Sequence, residues 1–518
     1  MQTIVRNAVG RDIPLELPGL GKVTPFQGAF ELIPDGRKAA PRIPMMPPGK
    51  SKLLHSLEAA IDAVGLKDGM TISFHHHLRN GDFVLNELLD IIARKGIKDL
   101  TLAATSLFPT HAGIVDHIEH GVITGMQSGL HGKIGRAISD GILEKPVVVR
   151  SHGGRARAIE SGDLHIDVAF LTAPTADAYG NANGVNGPSA CGALGYPQTD
   201  ANYADHVVII TDNLVEYPAS PISIDQTKVD WVVEVERIGD PKGIVSGTTK
   251  ITTSPVAHLI AQNAVKLMVA SGLVKDGFSF QTGAGGASLA AAAYLREYLK
   301  QHGIVGSFCS GGITAYLVQL LKEGFFHKLM DVQCFDLDAV ASLRDNPNHI
   351  EMSGSMYGNP HNKGAVVNML DIVILGATEI DLDFNVNVAV ESDGSLVHAI
   401  GGHMDTAAGA KLTIITAPLI RGRLCTVLDR VLTVTTPGET IDALVTERGI
   451  AINPRRQDLI ERAKEAGLPI VTIEELQAIA EAITGKPKSV EFDDKIIGVI
   501  EYRDGSIIDV VRKPIRMK

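Results

Sequence analysis

The 518-residue sequence predicts an α/β chain made of two tandem, related open domains, and three observations carry that expectation. Hydrophobic residues make up 45% of the chain and aromatics only 5%, so the apolar content is chiefly Ala, Val, Ile and Leu, while 53 glycines exceed the usual share of about 7%. That mixture favours strands and helices joined by tight loops. From Ser51 onward, strand-like and helix-like periods alternate, as parallel strands with crossover helices require. The chain also repeats itself. Asp167-Val-Ala-Phe-Leu is followed by Asn181 and Asn183, and Asp371-Ile-Val-Ile-Leu by Asn385 and Asn387, at the same spacing of 14 and 16 residues. Upstream, Asp68-Gly-Met-Thr-Ile-Ser-Phe74 matches Asp276-Gly-Phe-Ser-Phe280. The two matches run at offsets of 208 and 204 residues, so a whole domain is duplicated.

Each element can be justified in order. Residues 1–50 are rich in Pro and Gly, lack a period of 2 or 3.6, and read as an arm laid over a domain surface. The first domain, 51–250, opens with an amphipathic helix (52–64), the turn Gly65 to Gly69, a strand (70–74), a helix (86–95) and a strand (100–104). The boundary falls near Asp240 to Pro255. The second domain, 251–518, has a strand ending at the glycine loop 281–286, a helix over 287–302, a strand over 304–309 and an apolar strand over 412–420. It ends with a helix (457–466), a second helix opened by the capping box Thr472-Ile-Glu-Glu475, and a hairpin (495–502, 506–511) that closes one edge of a sheet.

Length and charge narrow the function. At about 150 residues per domain the chain has room for about three or four domains, or two large ones. Forty-eight Lys and Arg against 59 Asp and Glu leave a net charge of −11, which argues against nucleic acid or an anionic membrane as partner. The four cysteines form no C-x-x-C pair and read as single buried thiols of a reducing compartment. The charged N-terminus is no signal peptide, and no apolar run approaches the ~18 residues of a membrane span, so a soluble cytoplasmic protein is expected.

The candidate chemistry gathers in strand-end loops. Gly283, Gly285 and Gly286, between a strand and a helix, would offer backbone N–H groups to an oxyanion. A dinucleotide reading fits poorly, because Ser288 stands where a third small residue is wanted and the next strand lacks a ribose-binding acid. Gly49-Lys50-Ser51 is no P-loop, since Pro44 takes the place of its first glycine. In the equivalent loop of the first repeat, His75, His76, His77, Arg79 and Gly81 could grip a polycarboxylate, Arg by a bidentate fork and His by donated hydrogen bonds. Adjacent histidines in extended chain point to alternate faces, which disfavours a metal, and no metal site is expected. Glu379 and Asn385 could orient or stabilise charge, while Gly401, Gly402 and Asp405 form a further polar loop. The alternative for the repeated Asn-x-Asn is that it holds turns in both domains. Arg421 and Arg423 are candidate carboxylate clamps; Arg455 and Arg456 read as surface charges.

The runs Ser73-Phe-His-His, Arg79 to Asp82, Ser151-His-Gly-Gly-Arg155, Gly180-Asn-Ala-Asn-Gly184, Phe278-Ser-Phe-Gln-Thr-Gly283, Asn346-Pro-Asn-His-Ile-Glu351, Phe384-Asn-Val-Asn-Val388 and Thr446 to Pro454 closely resemble the citrate lyase alpha subunit family over about residues 51–515. The resemblance implies the coenzyme A transferase type of fold, present twice, with the active site between the halves. It implies a citrate:acetyl-carrier-protein transferase that uses citrate and acetyl-ACP or acetyl-CoA and releases acetate. It further implies an enzyme with no bound cofactor of its own, acting on the phosphopantetheine-type arm of the carrier or on coenzyme A. The implied partners are the beta subunit and the acyl carrier gamma subunit, and a homo-oligomer is expected. Gly283 to Gly286 with Glu379 and Asn385 are the catalytic candidates; His75 to His77, Arg79, Gly81, Gly401, Gly402, Asp405 and Arg421 are the substrate-binding ones. Many coenzyme A transferases use a glutamate nucleophile, but Lys328 to Leu337, where it would fall, contains none. The resemblance implies direct transfer through a mixed anhydride instead, with Glu351 and Glu379 as remaining covalent candidates. The rival readings are a coenzyme A transferase or acyl-CoA hydrolase for another acid such as citramalate, and a non-catalytic scaffold or sugar-phosphate-binding module of the same fold.

Overall fold

The computed structural model describes residues 3–32, 39–40, 45–75, 77–245, 252–283 and 285–516. Seven strands form the body of the first sheet: β1 (Thr71–His75), β2 (Leu100–Ser106), β3 (Ile123–Gly129), β4 (Val147–Val149), β5 (Val168–Thr172), β6 (His206–Thr211) and β7 (Trp231–Glu234). Seven more form the second: β8 (Ser279–Thr282), β9 (Gly306–Ile313), β10 (Phe326–Cys334), β11 (His349–Glu351), β12 (Ile372–Gly376), β13 (Leu412–Thr416) and β14 (Ala443–Thr446). Their spatial orders are β4-β3-β2-β1-β5-β6-β7 and β11-β10-β9-β8-β12-β13-β14, the same topology twice. Neighbours within each set run parallel. Strands such as Val168–Thr172 are buried throughout, as unbroken apolar runs covered on both faces should be.

The repeated aspartates have the same work in both halves. Asp167 Oδ2 accepts the Thr71 N–H at 2.7 Å and Asp371 Oδ2 that of Ser279 at 2.8 Å, each pinning the first strand of its half to the fifth. The Asn-x-Asn pairs are equally alike. Asn181 donates to Asp177 and its Oδ1 accepts the Gln226 N–H; Asn385 donates to Asp381 and its Oδ1 accepts the Gly438 N–H. Asn183 and Asn387 each accept backbone N–H groups two and three residues on. The architectural alternative accounts for all four asparagines.

Several boundaries differ from the expectation. Leu53–Leu54 pairs in parallel with β7, so the first helix begins only at Leu57, capped by Ser56. The apolar strand from Leu412 ends at Thr416, before Pro418, and Ile420–Arg421 turns into its own hairpin. The largest difference concerns the C-terminal hairpin. β15 (Phe492–Glu501) pairs with β4 and β16 (Ile507–Pro514) pairs with β15, so the hairpin of the 251–518 segment closes the edge of the first domain's sheet. Glu501 draws it there: its buried carboxylate takes Arg150 in a bidentate fork at 2.6 and 2.8 Å and Arg157 at 2.7 Å.

The described part of the arm binds this hairpin. Asn7 donates to the Ile508 carbonyl, Arg11 lies 3.1 Å from Asp509, and the Phe26 ring meets Tyr502 edge-on at 4.8 Å. No helix among the described residues is long and apolar enough to cross a membrane.

Candidate active site

The strand order reverses between β1 and β5, and in open α/β sheets the crevice at the carboxyl end of such a switch point is where ligands bind. His75 ends β1 there. A cleft of about 140 Å³ opens at this point, lined by His75, His77, Arg79, Thr105, Ser106, Phe108, His131, His152 and Tyr196 of the first half and Gln333, Phe335 and Ala399 of the second. Its size is below the ~300 Å³ at which pockets for drug-sized ligands begin, so it suits a small acid better than a whole coenzyme.

The halves meet around it without room to spare. A Cβ on Gly153 would lie 2.0 Å from the Gly358 carbonyl oxygen. Helix α1 (His152–Ser161) is capped by Ser151, and the second half supplies a carboxylate to that end: Asp405 accepts from Ser151 Oγ at 2.7 Å and from the Gly153 N–H at 2.8 Å. The Gly401 carbonyl accepts the His152 N–H at 2.9 Å, and a Cβ on Gly402 would collide with the Tyr357 hydroxyl. Gly401, Gly402 and Asp405 thus hold the helix that presents His152 to the cleft.

Arg79 is the cation of the recess. Its guanidinium lies between Phe108 of the first half and Phe335 of the second, 5.3 and 5.0 Å from the ring centroids, and its backbone is left-handed at φ 57°. Such a conformation costs an L-residue about 1–2 kcal/mol, a strain tolerated where function sets the geometry.

Behind it stands a buried polar network. Asp200 accepts two bonds from Arg155 at 2.6 and 3.0 Å, one from His75 Nδ1 at 2.7 Å and one from Ser73. Burial opposes its charge, but Arg155 and then His75 outweigh burial and hold the carboxyl well below the usual carboxylate range. His77 donates to the Ala193 carbonyl and meets the Tyr196 ring edge-on. Tyr196, kept protonated by burial, lies with its hydroxyl 2.5 Å from His152 Nδ1.

Burial favours the neutral form of two cleft histidines, His131 and His152. Burial, with His75 and Arg155, pushes His152 down to about 3; burial, with His398 and Arg79, pushes His131 down to about 4. His403, outside the cleft, is pushed by burial to about 4. For a base with a lowered folded-state pKa, the unfolded chain takes up protons from about pH 6.5 downward while the fold does not, so stability is full above that pH and is lost as pH falls toward the folded values. The denaturant midpoint should accordingly drop between pH 7 and 5, by at most about 1.4 kcal/mol per pH unit for each histidine. His152→Gln should remove one share; a flat profile would contradict these assignments.

The other sequence candidates lie elsewhere, and His76 falls outside the described residues. The Gly283 N–H is spent on the Ile374 carbonyl in the sheet, and Gly285, exposed, caps α2 (Gly286–His302); none of the three glycines lines the cleft. Gly81 is a packing glycine, where a Cβ would lie 2.0 Å from the Asp240 carbonyl oxygen. Glu379 is buried with Asn387 donating to it at 2.9 Å, and Glu351 is half-buried with the Leu194 N–H and Ser223 hydroxyl on its two oxygens. Arg421 donates to the Thr378 carbonyl in its hairpin. Asn385 lines a larger recess of 760 Å³ under the arm, with Arg6, Arg430 and Glu439, which shares no residue with the cleft. Among the described residues, His165, Asp167 and Asp205 lie close enough together for a metal, but at the amino-terminal ends of β5 and β6, opposite the cleft.

The family description "Citrate lyase, alpha subunit (CitF)" matches residues 50–514. The chain belongs to the citrate lyase alpha subunit family. It is 53% identical over 461 residues to the citrate lyase alpha chain of Haemophilus influenzae, covering 89% of this chain and 92% of that one. To the citrate lyase alpha chain of Escherichia coli K12 it is 50% identical over 463 residues, with 89% and 91% covered. Among solved structures, a Streptococcus mutans protein described as a citrate lyase alpha subunit in complex with citrate superposes with a TM-score of 0.95 at 50% identity, covering 98% of this chain and all of that one. A Pseudomonas malonate decarboxylase hetero-tetramer in complex with malonate gives a TM-score of 0.61 at 17% identity over 84% of this chain and 88% of that chain, a likeness of fold alone. The citrate lyase alpha fold expected from sequence is thus the one observed, and the citrate lyase alpha family accounts for nearly the whole chain.

Proposed function

We propose that the cleft at the β1–β5 switch point binds citrate and exchanges it for acetate on the thiol of a carrier arm or of coenzyme A. The chain is the transferase component of citrate lyase by family, and the observation that carries the location is Arg79, held between the two halves by Phe108 and Phe335. A guanidinium offers a carboxylate its planar fork, and the His152 ring beside it is paired through Nδ1 with the Tyr196 hydroxyl. Fixed donors of this kind stabilise the oxyanion of acyl transfer without reorganising. A citrate carboxylate oxygen attacks the acetyl thioester carbon and the C–S bond breaks. The released thiolate then attacks the citryl carbonyl of the mixed anhydride, and acetate leaves.

No glutamate is among the described residues that line the cleft, and protein donors take both oxygens of Glu351 and the Oε2 of Glu379, which supports direct transfer. The beta subunit and an acyl carrier gamma subunit are the proposed partners, in a cytoplasmic, homo-oligomeric assembly. The test is incubation with acetyl-CoA and citrate. Acetate release dependent on citrate is expected, citramalate should be the poorer acceptor, and borohydride should trap no glutamyl thioester. Acetate release that ignores citrate would refute the assignment, and a trapped glutamyl adduct would refute direct transfer.

A further inference from the structure

Thr105 stands near the carboxyl end of β2, next to the β1–β5 switch point, and its side chain lines the cleft. Its hydroxyl oxygen is 2.5 Å from His75 Nε2, and its own backbone N–H points at the same nitrogen from 3.0 Å. A backbone N–H can only donate, so Nε2 is a bare lone pair. The imidazole proton is on Nδ1, where Asp200 accepts it at 2.7 Å. Asp200 is in turn fixed by Arg155 and Ser73. The hydroxyl proton of Thr105 is therefore directed inward to Nε2, and the oxygen turns only acceptor lone pairs toward the cleft.

That sets an acceptor in the same recess as the Arg79 guanidinium. A carboxylate oxygen set against Thr105 Oγ1 would bring lone pair against lone pair, whereas a hydroxyl would meet its complement. Citrate carries three carboxylates and a single hydroxyl. We propose that Thr105 is the specificity-determining residue that accepts the hydroxyl of the bound acid, so that the cleft selects a hydroxy-tricarboxylate over its deoxy counterpart. His75 and Asp200 act as positioning residues that keep the Thr105 oxygen an acceptor. The inference rests on the citrate reading of the cleft.

The experiment is calorimetric titration of the full chain with citrate and with propane-1,2,3-tricarboxylate, which is citrate without its hydroxyl. The wild-type chain should bind citrate about tenfold or more tighter, the weight of one desolvated hydrogen bond. Thr105→Val should bring the two acids within about twofold by weakening citrate alone, and Thr105→Ser should restore the preference. A merely structural role would weaken both acids together. An undiminished preference in Thr105→Val, or no preference in the wild type, overturns the proposal. If the valine variant does not fold, Thr105→Ala decides by the same ratio. A wild-type chain that binds neither acid would instead strike the citrate reading itself.

Discussion

Replacing Asp200 by asparagine should destabilise the protein by about 3–5 kcal/mol, among the largest effects a single polar change can have here. The carboxylate lies fully buried and is the common acceptor for Arg155, His75 and Ser73. An amide keeps one oxygen but turns N–H groups toward donors and leaves the Arg155 guanidinium as an unbalanced charge in the interior. The denaturant midpoint should fall with the slope of the transition unchanged. Because breaking a buried pair costs more than replacing it, the double variant Asp200→Asn/Arg155→Met should recover much of the loss. If both variants unfold at the wild-type midpoint, the network contributes nothing to stability. Activity should fall as well, since His75 would lose the partner that sets its tautomer.

The second large effect is catalytic. Arg79→Gly should lower kcat/KM for citrate by about 10²–10³, the weight of a charge-assisted bidentate contact of roughly 3–4 kcal/mol, while the melting temperature holds. Glycine is the informative replacement, because it accepts the φ of 57° without strain and separates loss of the cation from backbone distortion. Arg79→Lys should rescue little, since an ammonium neither stacks between Phe108 and Phe335 nor forks onto a carboxylate. Full activity in the glycine variant would remove Arg79 from the site.

Much of this architecture is legible in the amino-acid sequence because the duplication repeats its structural side chains. Asp167 and Asp371 recur because each pins one pair of strands, and Asn181 and Asn385 recur because each closes the same turn. Asn385 is held by the same kind of bond as its counterpart Asn181, whereas Glu379, which accepts from Asn387, has Thr175 as its counterpart in the first half. His75, His77 and Arg79 are legible as cleft residues since all three fall within five residues at one strand end. Thr105, His131, His152, Tyr196 and Gln333 are not, because each comes singly from a different segment and only the folded sheet brings them together. His152 carried a signal that could have found it. It follows a capping serine just past a strand, as His75 ends one, and polar residues at several carboxyl ends of parallel strands converge on the switch point. The placement of the C-terminal hairpin on the first sheet is hidden for a different reason, as nothing local in residues 492–514 distinguishes one sheet edge from another.

That hairpin has a consequence for biosynthesis. Strand Val147–Val149 leaves the ribosome more than 300 residues before its neighbour in the sheet, strand Phe492–Glu501, so during translation the first domain carries an open edge of unpaired N–H and C=O groups. Arg150 and Arg157 wait over the same interval for the carboxylate of Glu501. The nascent first half is therefore a template for wrong strand pairing until the last stretch of chain arrives. Lengthening the C-terminal delay, or cutting the chain before residue 492, should convert a soluble product into aggregate although every residue of the cleft has already been made.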